Sequence, residues 1–119
     1  MKIDIKKRDT IALIQITGKI NIETVLRLDE VINKFMNDPA ITAIALNCRK
    51  LEHVDSSGLG SWIQYINTAK SLNKEFFLYD LPSNILSIIE MAFLMNFLKC
   101  TTSEKLNEEF KTDFFKISD

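Results

Sequence analysis

Two short apolar runs, Ile41-Thr42-Ala43-Ile44-Ala45-Leu46 and Phe76-Phe77-Leu78-Tyr79, alternate with stretches whose apolar residues recur every third or fourth position. This switching of period constrains the fold more than any other feature of the chain. A continuous apolar run of strand length suits a strand buried on both faces, as in a parallel sheet. Parallel neighbours need long crossovers, and amphipathic helices supply them. Strand and helix patterns in alternation therefore predict an α/β fold.

The remaining elements fill in this plan. Lys2 to Lys7 alternates, with Ile3 and Ile5 set against Lys2, Asp4 and Lys6, and reads as an exposed edge strand. After a polar turn at Arg8-Asp9, Thr10 to Thr17 reads as a second strand, ended by Gly18 and paired with the first as a hairpin. Ile22, Val25, Leu28, Ile32 and Phe35 mark one helix face over Ile22 to Met36, with Asn21 as N-cap and Asp38-Pro39 as stop. Cys48 to Glu52 reads as a polar connection. Leu59, Trp62, Ile63, Ile66 and Ala69 mark a second helix ending near Leu72, with Tyr65, Gln64 and Asn67 off the stripe on a face open to a partner. A third helix is expected over roughly Asn84 to Ala92 and a short strand over Phe97 to Cys100. Thr101 and Glu104 have capping-box spacing for a last helix lined by Leu106, Phe110 and Phe114. The expected fold class is thus a mixed central sheet with an N-terminal edge hairpin and about four helices packed on it, in a single domain over 1–119.

Composition narrows the function. A chain of 119 residues, 46% hydrophobic and 26% charged, can bury one ordinary core and is too apolar to be disordered. A net charge of -1 without any basic cluster gives no field for nucleic acid. Ile85 to Leu98 is the most apolar stretch, but it is too short to span a bilayer and contains Glu90. It is greasy around most of a helix. That pattern fits either hard packing against the sheet or an exposed contact for a partner. The start, MKIDIKKRDT, lacks the apolar core of a signal peptide, so a cytoplasmic protein is expected. Cys48 and Cys100 have no paired spacing and read as small buried hydrophobes.

Two of the chain's three glycines sit in His53-Val54-Asp55-Ser56-Ser57-Gly58-Leu59-Gly60, where a strand hands over to a helix. Sites gather at such carboxyl ends of strands. Asp55 or Ser56 can cap the helix, and Gly58 and Gly60 remove side chains from its first turn, uncovering backbone donors. An anion there is stabilised by free N–H groups and the positive helix end. A phosphate on a serine would be tolerated by the fold yet change the surface potential sharply. The competing reading is that Asp55 and Ser56 only cap and the glycines only permit close packing. A hydrolase elbow needs a glycine two residues before its serine, and a triad would have to use His53. The glycine spacing fails the dinucleotide fingerprint, with Ile63 in the third position. One histidine and two distant cysteines make no metal site, and no cofactor is called for.

The hairpin, the Thr17-Gly18-Lys19-Ile20 turn, the Ile44-Ala45-Leu46-Asn47 strand and above all Leu51 to Gly60 resemble the STAS domain family. Within it the chain is similar to the free-standing bacterial anti-sigma factor antagonists, over essentially its whole length. The resemblance implies a phosphoprotein that acts in transcription regulation by partner switching. Ser56 would be phosphorylated by an anti-sigma factor that is also a serine kinase, which supplies ATP and Mg²⁺. Asp55 would position the hydroxyl or the phosphate, and Ser57 would be a structural neighbour. Unphosphorylated, such a domain binds the anti-sigma factor and frees its sigma factor; a serine phosphatase resets it. The chain would then be a substrate and ligand, not an enzyme, with no direct contact to nucleic acid or membrane, and a monomer. A non-switching STAS scaffold, or a subunit of a signalling or lipid-transport assembly, is the alternative. Where the family often carries an acid, this chain has Asn21, on a loop near the phosphosite in relatives. A pair of small residues common in the later helix region is here Ala92-Phe93.

Overall fold

A computed structural model of the chain describes residues 1–116. The last three residues of the expected 1–119 domain lie outside the described residues. The elements run β1 (Lys2–Arg8), β2 (Ile11–Ile20), α1 (Val25–Met36), β3 (Ala43–Asn47), β4 (Leu51–Val54), α2 (Ser56–Ser71), β5 (Glu75–Tyr79), α3 (Ser83–Met91), β6 (Cys100–Thr101) and α4 (Ser103–Phe110).

The sheet is mixed, as the alternation of periods requires. Its order is β1-β2-β3-β5-β6, with β4 added to the far end of β2. β1 and β2 pair antiparallel around a turn at Asp9-Thr10, where Asp9 takes a φ of 53°. β3 and β5 run parallel in the middle, and every residue of β3 is buried. That is the setting expected of a strand covered on both faces.

β2 is longer than the sequence suggests. Gly18 does not end it; the strand kinks there and continues to Ile20. The register shifts between Gly18 and Lys19, and Gly18 has a φ of 104° that an L side chain rarely adopts. The bend lets one strand serve two neighbours: Ile11 to Gln15 pair with β3, and Gly18 to Ile20 pair with β4. Leu51 and Glu52, expected in a polar connection, are the first residues of β4, and Cys48 before them is fully buried.

The helices divide between the two faces. One core holds Val25, Leu28, Ile32 and Phe35 of α1, Trp62, Ile66 and Ala69 of α2, and Ile85 and Ile89 of α3. On the opposite face Leu13, Ala45, Phe77 and Tyr79 pack under Leu106 of α4 and Phe115. Two end elements differ from expectation by a small slide. The last strand is Cys100–Thr101, because Leu94 to Leu98 turn back on themselves through bonds from Phe97 and Leu98 to the Leu94 carbonyl. Thr102, not Thr101, caps α4, accepting from the Lys105 N–H at 3.2 Å. α4 closes at Lys111 in the left-handed region, so Phe114 lies past the helix, stacked edge-on against Phe115.

α1 begins at Val25, three residues later than its apolar spacing suggests. Asn21 to Thr24 form a separate turn, in which Asn21 Oδ1 accepts from Glu23 N–H at 2.9 Å and Thr24 N–H at 3.2 Å. Thr24 answers by accepting from Asn21 N–H and donating to the Lys19 carbonyl. Asn21 therefore caps a turn and not the helix. Ile22, placed on the buried stripe by its spacing, is 73% exposed.

Candidate functional site

β4 delivers the chain to the site. Val54 is buried and fixes the strand's end, and Asp55 N–H donates to the Ile20 carbonyl at 3.1 Å. The backbone then turns into α2 with Asp55 as N-cap in an extended conformation. One oxygen, Oδ1, accepts from Gly58 N–H at 3.1 Å and from the Ser57 hydroxyl at 2.5 Å. The other, Oδ2, accepts from Ile22 N–H at 3.2 Å. The Ser57 hydroxyl foremost, joined by the N–H groups of Gly58, Ile22 and Ser57, holds this carboxyl below the ordinary aspartate range, outweighing the desolvation that acts the other way. Asp55 is thus a charged clasp between the start of α2 and the turn that carries Asn21.

The two adjacent serines are treated differently. Ser57 is half-buried and spends its hydroxyl on Asp55. Ser56, the first residue of α2, is exposed, and no hydrogen bond of its side chain is found among the described residues. The helical backbone swings successive side chains by about 100°, so neighbours in sequence meet different surroundings.

The two glycines also part company. Both were expected to uncover backbone donors. Gly58 does not: its N–H is taken by Asp55, and the residue is buried. A Cβ there would stand 2.5 Å from Val54 Cγ2 and 2.8 Å from Ile20 Cγ2, so the missing side chain is what lets α2 settle onto β2 and β4. Gly60 is exposed with nothing within 4 Å of a Cβ position, leaving bare surface one turn beyond Ser56.

Around Ser56 the structure gathers Asp55, Ser57, Gly58 and Gly60, and the Ile22–Asp55 bond brings the Asn21 turn to the same place. It also adds a feature that spacing concealed. Ile22 and Leu26, one turn apart, are 73% and 69% exposed beside the site. Ile22 fits the helical stripe numerically, so periodicity gave no warning. Leu26 lies next to Val25 and off the stripe, and that was the available signal.

Tyr65 is not on an open face. It is buried between α2 and α1, where its hydroxyl donates to Asp29 Oδ1 and its ring meets Phe76 at 5.5 Å. Burial first, and then the Asp29 acceptor, push its phenol well above the usual range. Gln64 and Asn67, its expected companions, do line a surface cleft together with Asp29 and Asn33. Trp62 is fully buried in the core. His53 is exposed on β4, and among the described residues it forms no pair with a serine of the kind a triad needs. The described residues hold no cluster of three or more His, Cys, Asp or Glu suited to a metal ion. No described helix is long and apolar enough to cross a membrane.

A kinked strand shared between two parallel neighbours, three helices on one face and a fourth on the other define a small α/β domain whose one distinctive junction is the β4–α2 turn. The chain belongs to the STAS domain family, whose pattern it matches over residues 2–108. Its fold is similar to the anti-sigma factor antagonist SpoIIAA in its unphosphorylated form, at a TM-score of 0.77 and 16% identity, covering 99% of this chain and 100% of that one. The phosphorylated form of the Bacillus cell fate determinant SpoIIAA superposes at a TM-score of 0.71 and 16% identity over 92% and 99% of the two chains. A candidate anti-sigma factor antagonist of Thermotoga maritima gives a TM-score of 0.82 at 21% identity, over 92% and 94%.

Proposed function

We propose that this chain is an anti-sigma factor antagonist whose binding is switched by phosphorylation of Ser56. One observation carries the reading: the cap of α2 is complete without Ser56. Asp55 holds the Gly58 N–H and the Ser57 hydroxyl, while Ser56 is presented to solvent with no structural task among the described residues. The alternative role for the motif, a pair of capping residues, accounts for Asp55 but leaves the exposed hydroxyl unexplained. The two states of SpoIIAA, one unphosphorylated and one phosphorylated, agree with a modification of this kind.

In this reading the unmodified surface binds a partner that is both anti-sigma factor and serine kinase, and sigma factor is released. Ile22 and Leu26 give the partner apolar footing, Gly60 lets its backbone come close, and Asn21, Asp55, Ser57 and Gly58 shape the junction. Phosphate at Ser56 adds about two negative charges at a helix N-terminus, a position the helix dipole favours. It also stands next to the Asp55 carboxylate in a solvated place where salt screens repulsion. The domain stays folded while its binding face changes. A serine phosphatase reverses the change.

The test begins with protein isolated from its own cells under two growth conditions, with phosphate mapped by peptide mass spectrometry. Occupancy of Ser56 that differs between conditions is the expected result. Immobilised Ser56→Ala should then retain a serine kinase of the anti-sigma class that Ser56→Asp does not. Unmodified Ser56 in every condition, together with equal capture by both variants, would replace the switch with a constitutive STAS scaffold.

A further inference from the structure

α3 closes on an exposed aromatic residue in a position where helices more often use glycine. The helix closes with paired bonds, Phe93 N–H to the Glu90 carbonyl and Leu94 N–H to the Ile89 carbonyl, both 3.0 Å. This closure places one residue in the left-handed region, where glycine is the usual choice because it has no Cβ. Here the residue is Phe93, at a φ of 58°. Its ring finds little cover among the described residues in return, since Phe93 is 92% exposed, with Met91 beside it at 79%. A bulky aromatic in a strained conformation and pointed into water is a feature with a use outside the fold.

The same edge of the molecule holds a receptor of matching size. A groove of about 230 Å³ has Leu81, Leu86, Met95 and Cys100 as its apolar lining, and its polar lining includes Asp80 and Lys105. A cavity of roughly 150 Å³ accepts a benzene ring, so this groove has room for a phenyl side chain. Met95, which lines the groove, is only two residues from the protruding ring. The charges are complementary as well. Glu90 is exposed one turn before the ring, and Lys105 borders the groove. Asp80 is already engaged as acceptor for Ser103 N–H, and among the described residues neither Glu90 nor Lys105 forms an ion pair.

We propose that this edge is a self-association surface. Phe93 of one copy inserts into the Leu81–Leu86–Met95–Cys100 groove of a second copy, with Glu90 of each meeting Lys105 of the other about a two-fold axis. A knob and its receptor on one edge of one chain satisfy the rule for an isologous contact, because each insertion is made twice by a single rotation. The surface, at the C-terminal end of α3, shares no residue with the start of α2, and gives a dimer where the sequence led us to expect a monomer.

Phe93→Gly is the informative variant, since it relieves the backbone and removes the ring at once. By analytical ultracentrifugation over a concentration series, the wild-type mass should rise toward twice the 13.7 kDa of one chain. At a concentration where both chains are monomeric, Phe93→Gly should melt at a higher temperature than wild type, and over the concentration series it should dimerise about tenfold or more weakly, as loss of a central aromatic anchor does. Glu90→Lys and Lys105→Glu should each weaken the dimer, and the double reversal should restore it. A wild-type chain that stays at 13.7 kDa throughout overturns the proposal, even if Phe93→Gly then loses a different captured protein. A Phe93→Gly dimer as tight as wild type overturns it too, as does a lowered melting temperature with both chains monomeric, which would mean the ring packs within its own chain. Failure of the double reversal to restore binding refutes the pairing of knob with groove.

Discussion

Gly58 and Gly60 are two residues apart on one helix and should respond to the same substitution with opposite sign. A Cβ added at Gly58 meets Val54 Cγ2 at 2.5 Å and Ile20 Cγ2 at 2.8 Å, closer than real Cβ atoms approach. Those methyls belong to β-branched side chains that are 1% and 0% exposed, with χ1 too stiff to swing aside. Overpacking of this sort costs about 1–3 kcal/mol. At Gly60 a Cβ meets nothing within 4 Å. Both positions gain the backbone benefit of replacing glycine in a helix, about 0.5–1 kcal/mol. Gly60→Ala should therefore match or exceed wild type by that amount, and Gly58→Ala should fall below Gly60→Ala by about 1–3 kcal/mol, since the shared benefit cancels. The single tryptophan, Trp62, is fully buried one turn after Gly58, so its fluorescence follows the docking of α2 during urea unfolding. With a slope of about 1–3 kcal/mol per molar urea, the two midpoints should differ by roughly 1 M. Equal midpoints would refute the claim that Gly58 exists for helix-to-sheet approach, and the motif's first glycine would need another explanation.

Two further predictions follow from side chains that hold elements together. Lys74 Nζ donates to the carbonyls of Phe35, Met36 and Asp38 at 3.1, 2.7 and 2.8 Å, closing the end of α1 from the start of β5. Lys74→Met should cost about 1.5–3 kcal/mol of unfolding free energy, the worth of hydrogen bonds from a charged donor, and should leave the α2 junction intact by amide chemical shifts. The Asp55 carboxyl titrates lower in the folded chain than in the unfolded one, so its stabilising effect is complete above the unfolded value of about 3.9. That effect is lost as pH falls through the folded value. The stability gap between wild type and Asp55→Asn, measured by urea unfolding from pH 7 downward, should be widest near neutrality and shrink in acid. A gap independent of pH would remove the charge from the account of the cap.

Much of this domain could be read from its residues. Ile41 to Leu46 and Phe76 to Tyr79 read as strands buried on both faces, and the strands found there, Ala43–Asn47 and Glu75–Tyr79, lie in the middle of the sheet with parallel neighbours; Ile41 and the exposed Thr42 fall before the first of them. Val25, Leu28, Ile32 and Phe35 line the buried side of α1 as their spacing requires. The turn at Asp55 was legible for a local reason: an acid ahead of a helical stripe supplies the acceptor that free N–H groups need. Errors clustered where a residue's fate depends on something distant. Gly18 looks like a strand's end, yet pairing with β4 carries the strand on to Ile20. Tyr65 looks like surface, yet Asp29 on another helix gives its hydroxyl a part-buried acceptor, so the ring can go in.

The sequence by itself determined the alternation of strand and helix, the position of the α2 start, and the presence there of an acid, two serines and two glycines. These are matters of period and local hydrogen bonding, which act over a few residues. Tertiary structure alone decided which serine is free, which glycine is a close contact, and that Ile22, Leu26 and Phe93 face outward. Period says which side chains share a face. It does not say whether another element arrives to cover that face, and at Ile22, Leu26 and Phe93 none among the described residues does.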